Sequence, residues 1–222
     1  DKVKDYTTSI EGFNVTNTHK PGVTQVEGKK TWNDNNNQDG LRPTEITINL
    51  LADGKKVDSR KVTAKDKWEY SFTKLPVKKN GKNIVYTISE DKVKDYTTSI
   101  DGFNVTNTHK PGVTQVEGKK TWNDNNNQDG LRPTEITIRL YDGKDEVKHV
   151  TVTAKDKWKY SFTNLPMNKD GKKIVYTIKE DKVKNYTTSI EGFNVTNTHK
   201  PAVTQVEGKK TWNDNNNQDG LR

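Results

Sequence analysis

The sequence predicts an all-β protein made of tandem β-sandwich domains, and three observations predict it. The chain repeats itself nearly letter for letter: DKVKDYTTSI begins at Asp1, returns at Asp91 and, with Asn185 in place of Asp95, returns at Asp181. Within each repeat, short runs alternate apolar and polar residues, the period of a half-buried strand, and no segment carries a convincing helical period. Turn signals separate about seven such runs at regular spacing, as in an antiparallel sandwich.

In order along one repeat, Val23–Trp32 is the first strand, with Val26, Gly28, Lys30 and Trp32 on one face. Asn33–Pro43 is a polar loop. Thr44–Leu50 alternates again, with Ile46, Ile48 and Leu50 inward. Ala52-Asp53-Gly54 turns the chain into a hairpin partner, Lys56–Val62. Trp68, Tyr70 and Phe72 share one face of the next strand, which Leu75-Pro76 ends. Asn80-Gly81 makes another turn, and Ile84, Tyr86, Ile88 and Glu90 share the face that follows. Tyr96–Ile100 reads as short and irregular. Phe103, Val105 and Asn107 share a face of the last strand, and His109-Lys110-Pro111-Gly112 is a linker. In the second repeat LLADGKKVDSRKVTA becomes LYDGKDEVKHVTVTA, which reads as a one-residue shift of a hairpin turn, and Val77 becomes Met167. Both changes fall at loops, where tolerance is expected.

A period of this length is that of a small domain and exceeds a helical-solenoid unit. Two complete repeats are expected at 21–110 and 111–200. Residues 1–20 correspond to the end of a preceding repeat, and 201–222 to the start of a following one. Neither end carries enough chain to bury Phe13, Val15 or Trp212, so both are expected to be disordered in an isolated monomer. Function in such an array comes from length, stiffness and multivalent display.

Composition narrows the choice. Hydrophobic residues make up 28% of the chain, and Val, Ile, Leu and Phe together reach roughly a fifth, near the threshold for disorder. Five Trp, eight Tyr and the strict patterning argue for a folded chain. Each repeat nevertheless has only a thin core, and small domains of that kind need a staple. With no cysteine and four His, the staple is neither a disulfide nor a structural zinc. The net charge of +8 comes from lysines interleaved with acids, as in DKVKD, and not from a clustered nucleic-acid footprint. No apolar run reaches membrane-spanning length.

Three polar residues break the apolar pattern. Lys30, Glu90 and Asn107 occupy the inward parity of their strands, and Lys120, Glu180 and Asn197 repeat the arrangement. Burying such groups is unfavourable unless they are paired. Together they can do chemistry. Burial lowers the pKa of an amine and favours its neutral, nucleophilic form. A carboxylic acid can polarise a carboxamide and shuttle protons. An amine held against a carboxamide can displace ammonia and leave an amide crosslink. Parity alone also admits a plainer reading: Lys30 snorkels at a strand end, Glu90 opens a loop and Asn107 closes a strand.

Lys30-Thr31-Trp32-Asn33-Asp34, Asn37-Gln38-Asp39-Gly40-Leu41-Arg42-Pro43, Tyr86-Thr87-Ile88-Ser89-Glu90-Asp91, Tyr96-Thr97-Thr98 and Val105-Thr106-Asn107 together resemble the CnaB-type domains, the B repeats of Gram-positive collagen-adhesin stalks that also occur in pilins. The resemblance covers both complete repeats and both fragments. It implies a prealbumin-like or inverse-Ig β-sandwich. It also implies a self-generated isopeptide bond between Lys30 and Asn107, and between Lys120 and Asn197, assisted by Glu90 and Glu180. Lys29 and Lys119 are the fallback nucleophiles if the register slips by one. Asn17 and Lys210 are the corresponding, unpaired residues of the partial repeats.

Weaker signals carry less. Asp34, Asn36, Gln38 and Glu45 fit part of a calcium-loop count, but the glycine comes one residue late and no helices flank the loop. Asn14-Val15-Thr16 matches a glycosylation sequon by accident of composition. His19, His109 and His199 read as linker surface, with no partner evident nearby. The reading is therefore a structural stalk or fibre segment, extracellular and cell-wall anchored, without cofactor or metal and without enzymatic turnover. Its partners are adjacent repeats of the array and other copies in a fibre; no host matrix ligand is legible. Two alternatives remain: a ligand-binding adhesin module, and a filament or pilin subunit that exchanges strands between chains.

Overall fold

The computed structural model describes residues 2–221. They form two compact units that part between Thr114 and Gln115, with Leu165–Ile174 counted in the first. The strands are β1 (Thr7–Glu11), β2 (Asn14–Thr18), β3 (Val23–Asn33), β4 (Glu45–Ala52), β5 (Lys55–Thr63), β6 (Glu69–Pro76), β7 (Lys78–Lys79), β8 (Lys82–Asn83), β9 (Tyr86–Glu90), β10 (Thr97–Asp101) and β11 (Asn104–Thr108). Their second-repeat counterparts are β12 (Val113–Asn123), β13 (Glu135–Asp142), β14 (Asp145–Thr153), β15 (Lys159–Pro166), β16 (Asn168–Lys169), β17 (Lys172–Lys173), β18 (Tyr176–Glu180), β19 (Thr187–Glu191) and β20 (Asn194–Thr198).

The first repeat is a sandwich of a four-stranded sheet, β10-β11-β3-β6, and a three-stranded sheet, β5-β4-β9. Val26, Tyr70, Phe72 and Val105 from the first sheet meet Ile46, Ile48, Leu50, Val62 and Ile88 from the second in one buried cluster. The second repeat has the same strand orders, β15-β12-β20-β19 and β14-β13-β18. The alternation read from the sequence holds for the inward residues of β3, β4, β9 and β11.

Four expectations need correction. The sandwich is not purely antiparallel, because β11 pairs with β3 in parallel, with Val105 opposite Lys30 and Asn107 opposite Trp32. Thr97–Asp101 is a regular strand, antiparallel to β11, and not an irregular segment. Trp68 precedes β6 in a left-handed conformation, φ 60°, with its amide on the Thr63 carbonyl, so it packs beside Tyr70 and Phe72 without belonging to their strand. Finally, the hairpin turn does not shift between repeats. The loop stays at Asp53-Gly54 and Gly143-Lys144 while the Asp-Gly pair slides through it. Asp53 and Gly54 both have positive φ, 50° and 80°, as a type I′ turn requires. In the second repeat Gly143 has φ 60° and Lys144 is not left-handed, the pattern of type II′. One loop length is thus met by two turn chemistries.

The first end differs from expectation. Residues 7–18 pair as the hairpin β1–β2, in the register of β10–β11, although every residue in both strands is exposed. Val15 is 63% exposed where Val105 is fully buried, so burial of this hairpin comes from docking beside a first strand and not from its own sequence. Val203–Asn213 forms no strand.

Gly28 explains itself in β3. A Cβ there would sit 1.8 Å from the Phe103 carbonyl oxygen and 2.6 Å from the Tyr70 hydroxyl. Tyr70 donates to that carbonyl at 2.5 Å, tying β6 to the turn before β11 across the glycine. Gly118, Tyr160 and Phe193 repeat the arrangement. Gly28→Ala should destabilise the first repeat by about 1–3 kcal/mol through overpacking. A thermal melt tests this, and an unchanged melting temperature would refute the close-approach argument.

Candidate crosslinking site

The site follows from the parallel pairing of first and last strands. Lys30 on β3 and Asn107 on β11 are offset by two residues on the same inward face, a diagonal separation that a lysine side chain spans. Glu90 closes β9 in the facing sheet, opposite Ile48. The three expected residues therefore come together from three strands and two sheets.

All three are buried. The Lys30 and Glu90 side chains are both 0% exposed, with Nζ 2.9 Å from Oε1 but not aligned as a hydrogen bond. In the second repeat Lys120 Nζ donates to Glu180 Oε1 at 2.5 Å, again with both side chains at 0%. Burial pushes both lysines below the ordinary amine value, and the facing glutamate offsets part of that. Asn107 and Asn197 are fully buried, and neither the oxygen nor the nitrogen of either carboxamide has a hydrogen-bond partner. An orphaned buried polar group costs about 1–3 kcal/mol. Lys30 and Lys120 are held in place through their own strands, the Lys30 amide donating to the Trp68 carbonyl and the Lys120 amide to the Trp158 carbonyl, both at 2.7 Å. Each ammonium also lies 4.4 Å from a tryptophan ring centroid, Trp32 or Trp122.

The other sequence candidates are not brought into this site. Lys29 is exposed and 3.8 Å from Glu69, and Lys119 is exposed, so the alternative register is not adopted. Asn17 is exposed on β2 and accepts a hydrogen bond from Thr8. Lys210 lies exposed against Trp212.

The loop after β3 turns out to be an electrostatic plug. Asn35, Asn36 and Asn37 are all left-handed, with φ 53°, 59° and 59°, a conformation asparagine tolerates better than most residues. This curl brings Arg42 back onto buried Asp34, with Nε on Oδ2 at 3.0 Å and Nη2 on Oδ1 at 2.6 Å. Tyr96 and the Asn37 amide donate to the same carboxylate, while Glu45 pairs with Lys61. The acids of the calcium-like count are thus engaged by cations. Among the described residues no group of three or more His, Cys, Asp or Glu side chains gathers for a metal.

Sequence reasoning missed the role of the linker histidines. His109 Nδ1 faces the Asp95 carbonyl and Nε2 faces Asp39 Oδ2, both at 2.9 Å. Both partners are acceptors, so the imidazolium with two N–H donors fits best, and the Asp39 hydrogen bond accordingly raises the His109 pKa. Asp39 also accepts from the Gly112 amide. The same set recurs as His199, Asp129, Asn185 and Ala202. Asp39 and His109 lie 70 positions apart, and near identity of the repeats gives no local signal linking them.

A sandwich whose first and last strands run side by side over a buried lysine, acid and carboxamide defines a class of repeat module. The chain belongs to the Cna protein B-type domain family, which it matches over residues 26–108 and 116–198. It is 44% identical to a collagen adhesin of Staphylococcus aureus along its whole length, spanning 19% of that protein. The crystal structure of two B repeat units of the collagen binding protein of Staphylococcus aureus covers all of this chain at 44% identity and a TM-score of 0.77, the chain covering 61% of that structure. The chain is thus a tandem of two B-type repeat modules.

The Asp34 plug carries a pH signature. Burial alone would raise this carboxyl, but the hydrogen bonds from Arg42, Asn37 and Tyr96 outweigh it and lower it to about 2. A carboxylate depressed on folding stabilises the fold fully above its unfolded value, and that contribution is lost as pH falls through the folded one. The melting-temperature difference between the parent and Asp34→Asn should therefore shrink as pH falls from about 4 to about 2. A difference that stays constant across that window would contradict the assignment.

Proposed function

We propose that each complete repeat, 21–110 and 111–200, is clamped by an isopeptide bond, Lys30 to Asn107 and Lys120 to Asn197, with Glu90 and Glu180 as proton shuttles. The chain is then a segment of an extracellular, wall-anchored stalk that acts through its neighbouring repeats and through other copies in a fibre. The observation that carries this reading is the pair of fully buried carboxamides with no hydrogen bonds, each beside a buried Lys–Glu pair. A carboxamide left in that state is unfavourable, and conversion to an amide with the lysine removes the orphaned amino group and the buried charge together.

The chemistry balances within the site. A proton passes from Lys30 Nζ to Glu90, leaving a neutral amine and a carboxylic acid. Nζ attacks Asn107 Cγ, and Glu90 protonates the departing Nδ2 and takes the surplus proton from Nζ. The Cγ–Nδ2 bond breaks, ammonia leaves, and a Lys–Asn amide remains. Lys30 and Asn107 are both buried and lie two positions apart on one inward face, which suits a slow amide exchange. The closed loop takes in most of the repeat, and a crosslink of that span stabilises by about 4–5 kcal/mol in the chain-entropy picture.

Two measurements test the proposal. Each bond should lighten the chain by about 17 Da, so the intact mass should fall short by about twice that. Glu90→Ala should restore the missing mass in the first repeat only. A full-sequence mass for the parent would overturn the proposal. In a chain carrying Lys30→Ala and Lys120→Ala, the unfolding free energy, read from thermal melts, should fall well beyond the ordinary single-substitution range of about 0.5–3 kcal/mol. Trypsin should then cut rapidly, and parental resistance to heat and trypsin would show that the bonds are not the staple.

A further inference from the structure

The glutamate has a second contact that the crosslinking scheme leaves unexplained. Thr98 lies on β10 directly opposite Asn107, and its hydroxyl donates to Glu90 Oε2 at 2.8 Å. Thr188 does the same to Glu180 at 2.8 Å, opposite Asn197. The carboxylate is thus held at both oxygens, Oε1 beside the lysine and Oε2 on the threonine. The β1–β2 hairpin provides an internal comparison. There Thr8 occupies the same position, no glutamate faces it, and its hydroxyl donates to Asn17 Oδ1 at 2.6 Å. The same threonine therefore has two competing acceptors. Where the glutamate is present the hydroxyl goes to the acid, and the carboxamide is left without hydrogen bonds.

We infer that Thr98 and Thr188 are positioning residues for isopeptide formation, each fixing the orientation of its glutamate so that the other carboxylate oxygen faces the lysine amine. The inference rests on the crosslinking proposal above. A glutamate held at one oxygen only could rotate away from the amine, and the carboxamide could recapture the hydroxyl as Asn17 does. Both changes lower the population of the reactive arrangement without altering the sandwich core.

The test uses the full 222-residue chain made by cell-free synthesis, sampled over time, with ammonia loss in each repeat followed by peptide mass mapping. The second repeat, with Thr188 intact, is the clock inside every molecule. Thr98→Val keeps the shape and removes the donor, and should slow the first repeat by about ten- to hundredfold relative to the second, the range set by a hydrogen bond to a charged group. Thr98→Ser keeps the donor and removes the methyl group, and should restore the rate. The pH dependence of first-repeat closure should also move in Thr98→Val and return in Thr98→Ser, a change that a packing role would not produce. Closure of Thr98→Val at the rate of the second repeat, or slowing in Thr98→Ser equal to that in Thr98→Val, would overturn the inference while leaving the crosslink standing. Absence of ammonia loss from both repeats of the parent would overturn both.

Discussion

The parallel pairing of β3 with β11 is the constraint on which the rest of each repeat depends. It places the last strand in the middle of a sheet, between β10 and β3, so the sheet cannot close without both ends of the repeat. It sets Lys30 and Asn107 on one inward face, two positions out of step, beneath the acid that β9 brings from the facing sheet. It also makes Gly28 obligatory, because the turn before β11 passes so close to β3 that a side chain would strike its carbonyl. Without this pairing the hairpin keeps its register but buries nothing, as the β1–β2 hairpin demonstrates.

Around the buried triad the protein arranges two kinds of electrostatics. Lys30 and Glu90 are isolated from water, so their mutual contact substitutes for hydration. Asp34 and Arg42, one turn of loop away, are multiply hydrogen-bonded and hold their charges firmly. Trp32 stands between the two, its ring touched by the Lys30 ammonium and by the Arg42 guanidinium, with Trp68 and Tyr96 packed edge-on against it. An aromatic wall thus stands between the two ion pairs.

Much of this was legible in the sequence because strand parity is a strict code. Lys30, Glu90 and Asn107 stood out as polar residues at apolar positions, and each lies inside the fold as that parity requires. Strand direction was not legible, since alternation is the same whichever way a neighbour runs, and the parallel β3–β11 ladder was therefore missed. Trp68 misled because it keeps the spacing of β6 while lying outside it in a left-handed turn. The hairpin after β4 misled in another way. Sliding Asp-Gly by one residue looks like a shifted loop, yet it exchanges one turn type for another at fixed length. The Asp39–His109 contact and the Thr98–Glu90 contact join residues whose meeting depends on the assembled fold, and nothing local in the sequence announces them.

The central place of β11 has a consequence for the order of events during synthesis. Strands β3 to β9 leave the ribosome first, but the four-stranded sheet is only the β3–β6 pair until the final β10–β11 hairpin arrives. Contacts between the first and last strands are the most distant in the repeat, and such pairings form late. In the crosslinking scheme proposed above, a partly made repeat holds Lys30 in water and away from Asn107, and amine and carboxamide meet only when the repeat is whole. By that scheme completion of the repeat is itself the trigger, and a truncated product stays uncrosslinked and within reach of proteolysis.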